Sequence, residues 1–492
     1  MKKIIVCLMI AVFITSIYAC SLNVDSASKN LTNYRLELTF DDVNYVLNGS
    51  MSVNYYNKTE TPLSSIYFNL YPSAFRDASG QEVIGLSNYD KCYYNGISYG
   101  GIDITKVYNN SSLNLNFEIC GTDENILIVY LQKPVEPETY TNFNMDFSVI
   151  IPNINHRFGY GENTVNLGNF FPIACVFENG EWAEMEYYSY GDPFYSEVAN
   201  FEIELTYPKD FIVATTGKEI ANAVAGLNKI SVFKAKAVRD FAIVLSEKFQ
   251  VISTKVNNTE VFYYFYNDEH ASESLETSKL AIETYSELFG NYPYDEVKVI
   301  QSNFVHGGME YPSLVLISDE ISNYETYTYV IVHELAHQWW YGVVGNNQTK
   351  YAWLDEGLTE FSCALFYEQN PQYDLTYEKL VQKANSSFQV FKAIYGSVLG
   401  EIDTSINRSL NEFSTEPEYY HLTYVRGFLL MSSVNDLIGS KKITQCLKEY
   451  YIKYAFKIAT PENLIGIFEK VTMKELEEFF NSWLDGKIIE FD

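Results

Sequence analysis

The chain reads as an α+β protein of more than one domain, with an all-β half followed by an α/β and then helical half. Three observations predict this. At 492 residues the chain is too long for one hydrophobic core, so two or three domains are expected. Hydrophobic residues recur with a period of two between residues 34 and 250, and with a period near 3.6 through most of the rest. With 47% hydrophobic and 16% aromatic residues the chain is globular, and its 13 prolines leave little room for long disordered linkers.

The first segment reads as a targeting sequence. Lys2 and Lys3 precede an apolar run from Ile4 to Tyr18, short of the roughly twenty residues a spanning helix needs. Ile17-Tyr18-Ala19-Cys20 resembles a bacterial lipobox, in which the cysteine is lipidated and becomes the first mature residue. Residues 1–19 are therefore expected to be a signal peptide, Cys20 the lipidation site, and 20–33 a polar tether. The implied location is the extracellular side of a bacterial membrane, lipid-anchored; plain secretion and an uncleaved anchor are the alternatives. Of seven cysteines, Cys92, Cys120, Cys175, Cys363 and Cys446 lie beyond this segment. They form no C-x-x-C cluster, and a Cys92–Cys120 bridge stands beside buried free thiols as the two readings.

A formal charge of −29 excludes the basic face that a nucleic-acid partner requires. It favours solubility, and a negative field weakly attracts cationic peptides. Nothing in the sequence specifies an oligomeric state.

Residues 34–250 are expected to form an all-β domain. Tyr34, Leu36, Leu38 and Phe40 alternate with Arg35, Glu37 and Thr39, and the same alternation recurs at 51–55, 143–149 and 201–207. A second domain is expected over 251–492. Val261–Tyr266 and Val297–Ser302 read as strands around a helix, 272–290, stopped by Gly290 and Pro293. Residues 375–398, 424–436, 441–456 and 461–486 read as helices.

The chemistry is concentrated in His333-Glu334-Leu335-Ala336-His337, inside a buried helical run. Four helical residues turn about 400°, so both imidazoles project from one face, one turn apart, as two ligands of one zinc ion require. Glu334 sits about 100° away, near the metal but badly placed to ligate it. A Gly- and Asn-rich turn, 342–347, then leads to a second predicted helix, 354–366, carrying Glu356 in its first turn. Two histidines and one glutamate make an open, catalytic type of zinc site.

The stretch HELAHQWWYG followed by WLDEG resembles the zinc aminopeptidase family that includes aminopeptidase N and the leukotriene-converting epoxide hydrolase. That family places eighteen residues between its second histidine and its glutamate; here they are Gln338 to Asp355. The resemblance implies a β sandwich or saddle domain followed by a thermolysin-like catalytic domain, and one Zn2+ per chain held by His333, His337 and Glu356. GNFFPIAC (168–175) and GDPFYSEVANFEIELTYP (191–208) are similar to the β domain of bacterial members.

Gly307-Gly308-Met309-Glu310-Tyr311 is similar to the family's Gly-x-Met-Glu-Asn segment. There the glutamate holds the free α-ammonium of the substrate, which makes Glu310 the expected anchor and Gly307, Gly308 and Met309 the expected peptide-receiving edge. The fifth position is Tyr311 instead of Asn. Tyr424-Val425-Arg426-Gly427 is similar to the family's Tyr-x-Lys/Arg-Gly, whose tyrosine donates to the oxyanion; Tyr419 and Tyr420 are the fallback candidates. Glu334 is the expected general base. Glu360, one turn beyond Glu356, reads either as a partner of a zinc-bound histidine or as a solvated acid, and His306 as structural. The implied activity is release of N-terminal residues from peptides with free N-termini. The alternatives are an endopeptidase of the same fold and a non-catalytic, peptide-binding surface lipoprotein.

Overall fold

The computed structural model describes residues 22–79, 82–400 and 402–488; the apolar segment and Cys20 lie outside the described residues. Strands dominate up to Ser246 and helices dominate after Tyr324. The largest sheet has seven strands. In spatial order they are Lys218–Ala225, Asn228–Val238, Ala199–Pro208, Asn33–Asp41, Val46–Tyr56, Tyr140–Ile150 and Gly101–Tyr108. Tyr34, Leu36, Leu38 and Phe40 are buried while the residues between them are exposed, which is why this half reads with a period of two. The sheet is mixed: Asn33–Asp41 runs parallel to Ala199–Pro208 and antiparallel to Val46–Tyr56. Two four-stranded sheets and the hairpin of Val176–Glu178 with Glu181–Ala183 complete the β region among the described residues.

The next strand, Gln250–Val256, opens a different, five-stranded sheet, which continues through Thr259–Phe265, Glu296–Ser302 and Leu314–Ser318 to the edge pair Gly308–Met309. This sheet is covered on both faces. Ile300, Leu314 and Leu316 pack into the β-region core, while Val297, Val299, Val315 and Ile317 pack into the helical core. Both faces being buried, Leu314–Ile317 is an unbroken apolar run instead of an alternation. On the helical side lie Ala271–Phe289, Tyr324–Ala336 and Ala352–Gln369, closed around the buried Trp339, Trp340 and Trp353. Truncating a buried aromatic of this kind to alanine typically costs about 3–5 kcal/mol.

Three expectations are corrected. Residues 22–32 are docked, not a free tether. Asn23 caps a one-turn helix, Asp25 pairs with Lys236 at 2.7 Å, and Asn200 donates to the Ser28 carbonyl at 2.9 Å. The helix expected over 461–486 is two, Pro461–Thr472 and Glu477–Leu484. Met473 turns left-handed at φ 58°, and the Glu469 carboxylate caps the new start by accepting from the Leu476 and Glu477 amides. The helix read from Tyr424 starts one residue pair later, at Arg426, after a π turn over His421–Val425. All five described cysteines are free, four of them buried, so there is no Cys92–Cys120 bridge. No helix among the described residues is long and apolar enough to cross a membrane.

A buried cation with its donors engaged bridges the seam between the two regions. Buried Arg239 donates to the carbonyls of Tyr341 (2.8 Å), Val343 (3.3 Å), Ser196 (3.3 Å) and Lys457. A Cβ on Gly345 would fall 2.1 Å from the Arg239 guanidinium carbon, so the glycine in the turn after the histidines admits this cation. Tyr341 sits at φ 114°, a strained conformation for a bulky residue, and is held there by Arg239 on its carbonyl and by its own amide on Val344.

Candidate metal centre and peptide cleft

His333 lies in the last turn of Tyr324–Ala336 and His337 caps its end. Their Nε2 atoms face each other at 3.1 Å, and each lies 3.3 Å from Oε2 of Glu356, which projects from the first turns of Ala352–Gln369. All three side chains are buried. Burial disfavours charge on His337, yet the Glu356 carboxylate beside it more than offsets that and drives the ring up to about 10. Burial likewise raises Glu356, but His337 and His333 outweigh it and hold the carboxyl down near about 2. Two ring nitrogens and one carboxylate oxygen converging in a dry site call for positive charge between them. Oε2 of Glu356 makes no ordinary hydrogen bond. The donor set fits one zinc ion.

The groups behind the three ligands are also in place. Nδ1 of His333 lies 3.0 Å from Glu360, whose other oxygen accepts from the Tyr329 hydroxyl at 2.5 Å. Nδ1 of His337 faces the Trp340 carbonyl at 3.0 Å and the Thr359 hydroxyl at 3.2 Å. Such partners fix tautomer and ring orientation, so that Nε2 is the free ligand atom in both rings. Of the two readings left open for Glu360, the partner of a histidine is the one the geometry matches. Glu356 and Tyr424 are brought together where two helices touch: a Cβ on Gly357 would lie 2.9 Å from the Gly427 Cα. This close approach lets the Tyr424 hydroxyl donate to Oε1 of Glu356 at 2.7 Å. Tyr419 packs edge-on against Tyr424, and Tyr420 is half exposed.

Glu334 is buried, with Oε2 unpartnered, and burial lifts its carboxyl to about 7. Its nearest neighbour explains one glycine of the Gly-Gly pair. A Cβ on Gly308 would sit 2.2 Å from Oε1 of Glu334, so Gly308 admits a carboxylate, where the sequence suggested room for a backbone. Gly307 meets little, with only Val330 at 3.8 Å. Gly308 and Met309 form the edge strand, and their pairing with Leu316 and Ile317 leaves the outer edge unpaired within the sheet. Met309 points into the core.

Glu310 follows directly and is buried, with one carboxylate oxygen grouped with Glu334 and His337. Burial, and Asp192 after it, push its carboxyl well above the usual range. Its one side-chain donor among the described residues is Gln348, at 3.0 Å, which also donates to Asp355 at 2.7 Å. Gln338 fastens the segment to the motif helix by accepting from the Ser313 amide (2.7 Å) and donating to the Tyr311 carbonyl (3.1 Å). Tyr311, which replaces Asn, is buried and donates to Asn169 at 3.3 Å. His306 lies against His156 with ring centroids 5.6 Å apart, and its Nε2 has no partner.

Several residues of the site were not singled out from the sequence. Gln348 sits in the Asn-rich turn, where polarity alone suggested a loop. Arg157 and Asp192 come from the β region and meet at 2.5 Å against the cleft. Burial and nearby carboxylates push Asp192 up, but a guanidinium at that distance keeps the pair ionised. The cleft between the two regions encloses about 340 Å³ and is lined by His333, Glu334, Glu360, Tyr424 and the Gly307–Gly308 edge.

Comparisons with known proteins bear on the same part of the chain and on its fold. Residues 273–483 match the Peptidase family M1 domain. The match covers a little under half of the chain. The M1 domain contains every candidate ligand, Glu334, Glu310 and Tyr424. Among curated relatives, Aminopeptidase M1-D of Oryza sativa subsp. japonica is 20% identical over 303 residues, covering 58% of this chain and 34% of the relative. Leukotriene A-4 hydrolase of Xenopus laevis is 27% identical over 232 residues, covering 44% of this chain and 34% of the relative. The chain thus spans about a third of the length of these curated relatives. Among solved structures, an M1 zinc metallopeptidase from Deinococcus radiodurans superposes with TM-score 0.66 at 16% identity, covering 94% of this chain and 95% of that one. A variant of that enzyme bound to Tyr-Ser-Ala superposes with TM-score 0.64 at 16% identity, with the same coverage. The two-region architecture is therefore shared along nearly the whole chain.

Proposed function

We propose that the protein is a zinc-dependent aminopeptidase. The observation that carries this reading is the adjacency of Glu310 to the ligand set and to the general-base candidate Glu334: among the described residues it is a buried carboxylate with a single neutral side-chain donor, one residue beyond the unpaired strand edge Gly308–Met309. A peptide laid along Gly307–Met309 would end there, and its α-ammonium would complete the charge that Glu310 lacks. A zinc ion held by His333, His337 and Glu356 would supply Lewis-acid polarisation of the scissile carbonyl and lower the pKa of water.

The chain's own residues do the rest. Glu334, unpartnered at Oε2, takes the proton of the attacking water and passes it to the leaving amine, a contribution typically worth ~10²–10⁴-fold. Tyr424 exchanges its bond to Glu356 for one to the oxyanion of the tetrahedral intermediate; such donors are worth about 2.7–4 kcal/mol. Glu310 fixes the amino terminus. Glu360, Thr359 and the Trp340 carbonyl hold the two rings in register.

The anchoring role is tested with Glu310→Ala on matched peptides with free and acetylated amino termini. Cleavage of the free-amine peptide falls at least tenfold more than that of the acetylated one; equal losses on both would make the protein an endopeptidase. We further propose that it works outside the cytoplasm, anchored by lipid on Cys20. Lys2, Lys3, the apolar run to Tyr18 and Ala19-Cys20 support this. Cys20→Ser should release the protein from membranes into the medium.

A further inference from the structure

Four carboxylates line the cleft, and three of them have tasks. Asp192 is paired with Arg157, Glu360 holds His333 and accepts from Tyr329, and Glu334 faces the reacting centre. The fourth, Glu416, has none. It opens the short helix Glu416–Tyr420 and is half-buried, and among the described residues it pairs with no cation. Its one side-chain partner is neutral and comes from the other region of the molecule: the Ser87 hydroxyl donates to Oε2 at 2.8 Å. Gly85 lies so close that a Cβ there would be 3.0 Å from the same oxygen. A loop of the β region thus holds this carboxyl group at the cleft wall through a neutral partner.

Tyrosines share the cavity wall with Glu416 and the ligand set. Tyr190, Tyr329, Tyr419 and Tyr420 line the cavity; the Tyr190 hydroxyl donates to the Leu410 and Phe413 carbonyls, and the Tyr329 hydroxyl is held by Glu360. Ring faces of this kind accept an alkyl stem and attract a cation. The one cation on the wall, Arg157, is spent on Asp192 and stacks over Phe194.

We infer that Glu416 is a specificity residue, held by Ser87, that selects substrates with a lysine or arginine side chain beside the scissile bond. The alkyl stem of that side chain lies along the tyrosines and its cationic head meets the carboxylate. The inference rests on the aminopeptidase reading and adds the substrate class.

The test compares 4-nitroanilides of L-lysine, L-arginine and L-norleucine on the zinc-loaded protein; norleucine keeps the stem of lysine and lacks the charge. A charge-assisted contact predicts kcat/KM for lysine and arginine about tenfold to a hundredfold above norleucine, carried mainly by KM. Glu416→Gln should bring that ratio close to one, and Ser87→Ala should lower it by a smaller factor. Equal turnover of lysine and norleucine substrates by the wild type overturns the inference, as does a ratio that survives Glu416→Gln. Should no anilide with a free amine be cleaved, the aminopeptidase reading itself fails. Calorimetric titration with L-lysine and L-norleucine then decides the recognition alone: tighter lysine binding lost in Glu416→Gln supports it, and equal binding overturns it.

Discussion

The floor and the roof of the cleft are built in opposite ways. The floor is local: His333, Glu334, His337, Glu356 and Glu360 come from two helices consecutive in the chain, and their charges compensate one another. The roof is assembled from distant loops, with Arg157 and Asp192 from the β region and Ser87 reaching across to Glu416. The same residue type behaves differently in the two places. Burial raises both Glu356 and Asp240, but Glu356 faces two imidazoles and ends near about 2, whereas Asp240, at the seam, meets only neutral donors and ends at about 7. Burial alone therefore says little about what a carboxylate does; its partners decide.

The comparison would break if removing the base in the floor acted on stability and breaking the Arg157–Asp192 pair in the roof acted on chemistry. The largest expected effect is in the floor. Glu334→Gln keeps the shape of a side chain that no intramolecular hydrogen bond at Oε2 depends on, and removes the base. Turnover should fall by ~10²–10⁴-fold, with zinc content by metal analysis and thermal stability both retained. Loss of zinc or of the fold in this variant would remove Glu334 from its catalytic role.

Next in size is a change in the roof. Asp192→Asn leaves the Arg157 guanidinium in a nearly closed environment, with side chains only 7% and 12% exposed and its Nε already without a partner. Removing one member of a buried pair typically costs about 3–5 kcal/mol. Denaturant unfolding should show that loss, with zinc retained. If stability is unchanged and zinc affinity falls instead, Asp192 belongs with the floor, and the division drawn here is wrong.

The same contrast explains what could be read from the sequence. Helix geometry makes His333 and His337 neighbours at a spacing of four, and a turn of limited length brings Glu356 back, so the floor was legible almost residue by residue. The alternation at Tyr34–Phe40 was legible because one face of that sheet is buried. Other features depended on partners far along the chain. Nothing near Gly308 reveals that it makes room for Glu334, and nothing near Asp192 reveals Arg157. The π turn before Arg426 and the left-handed Met473 are likewise set by packing between helices, since neither position carries the glycine or proline that would announce a break.

The smallest effect sharpens the contrast between the two carboxylates. Asp240 accepts from the Phe241 amide at 2.6 Å and from the Asn169 side chain, and burial raises it from 3.8 to about 7. Between those two values the folded chain keeps a proton on Asp240 that the unfolded chain has lost. Stability from this group is therefore full below about pH 4 and declines as pH rises towards 7, beyond which the loss is complete. Asp240→Asn cannot ionise, so it should abolish this slope. Any bond lost on replacing one carboxylate oxygen by an amide is a constant offset and does not mimic it. Measured by denaturant unfolding at pH 4 and pH 8, the stability of the variant relative to wild type should improve by about 1–3 kcal/mol across that interval. An unchanged pH profile would mean that Asp240 is ionised in the fold, and that the seam, like the floor, supplies it with a compensating charge.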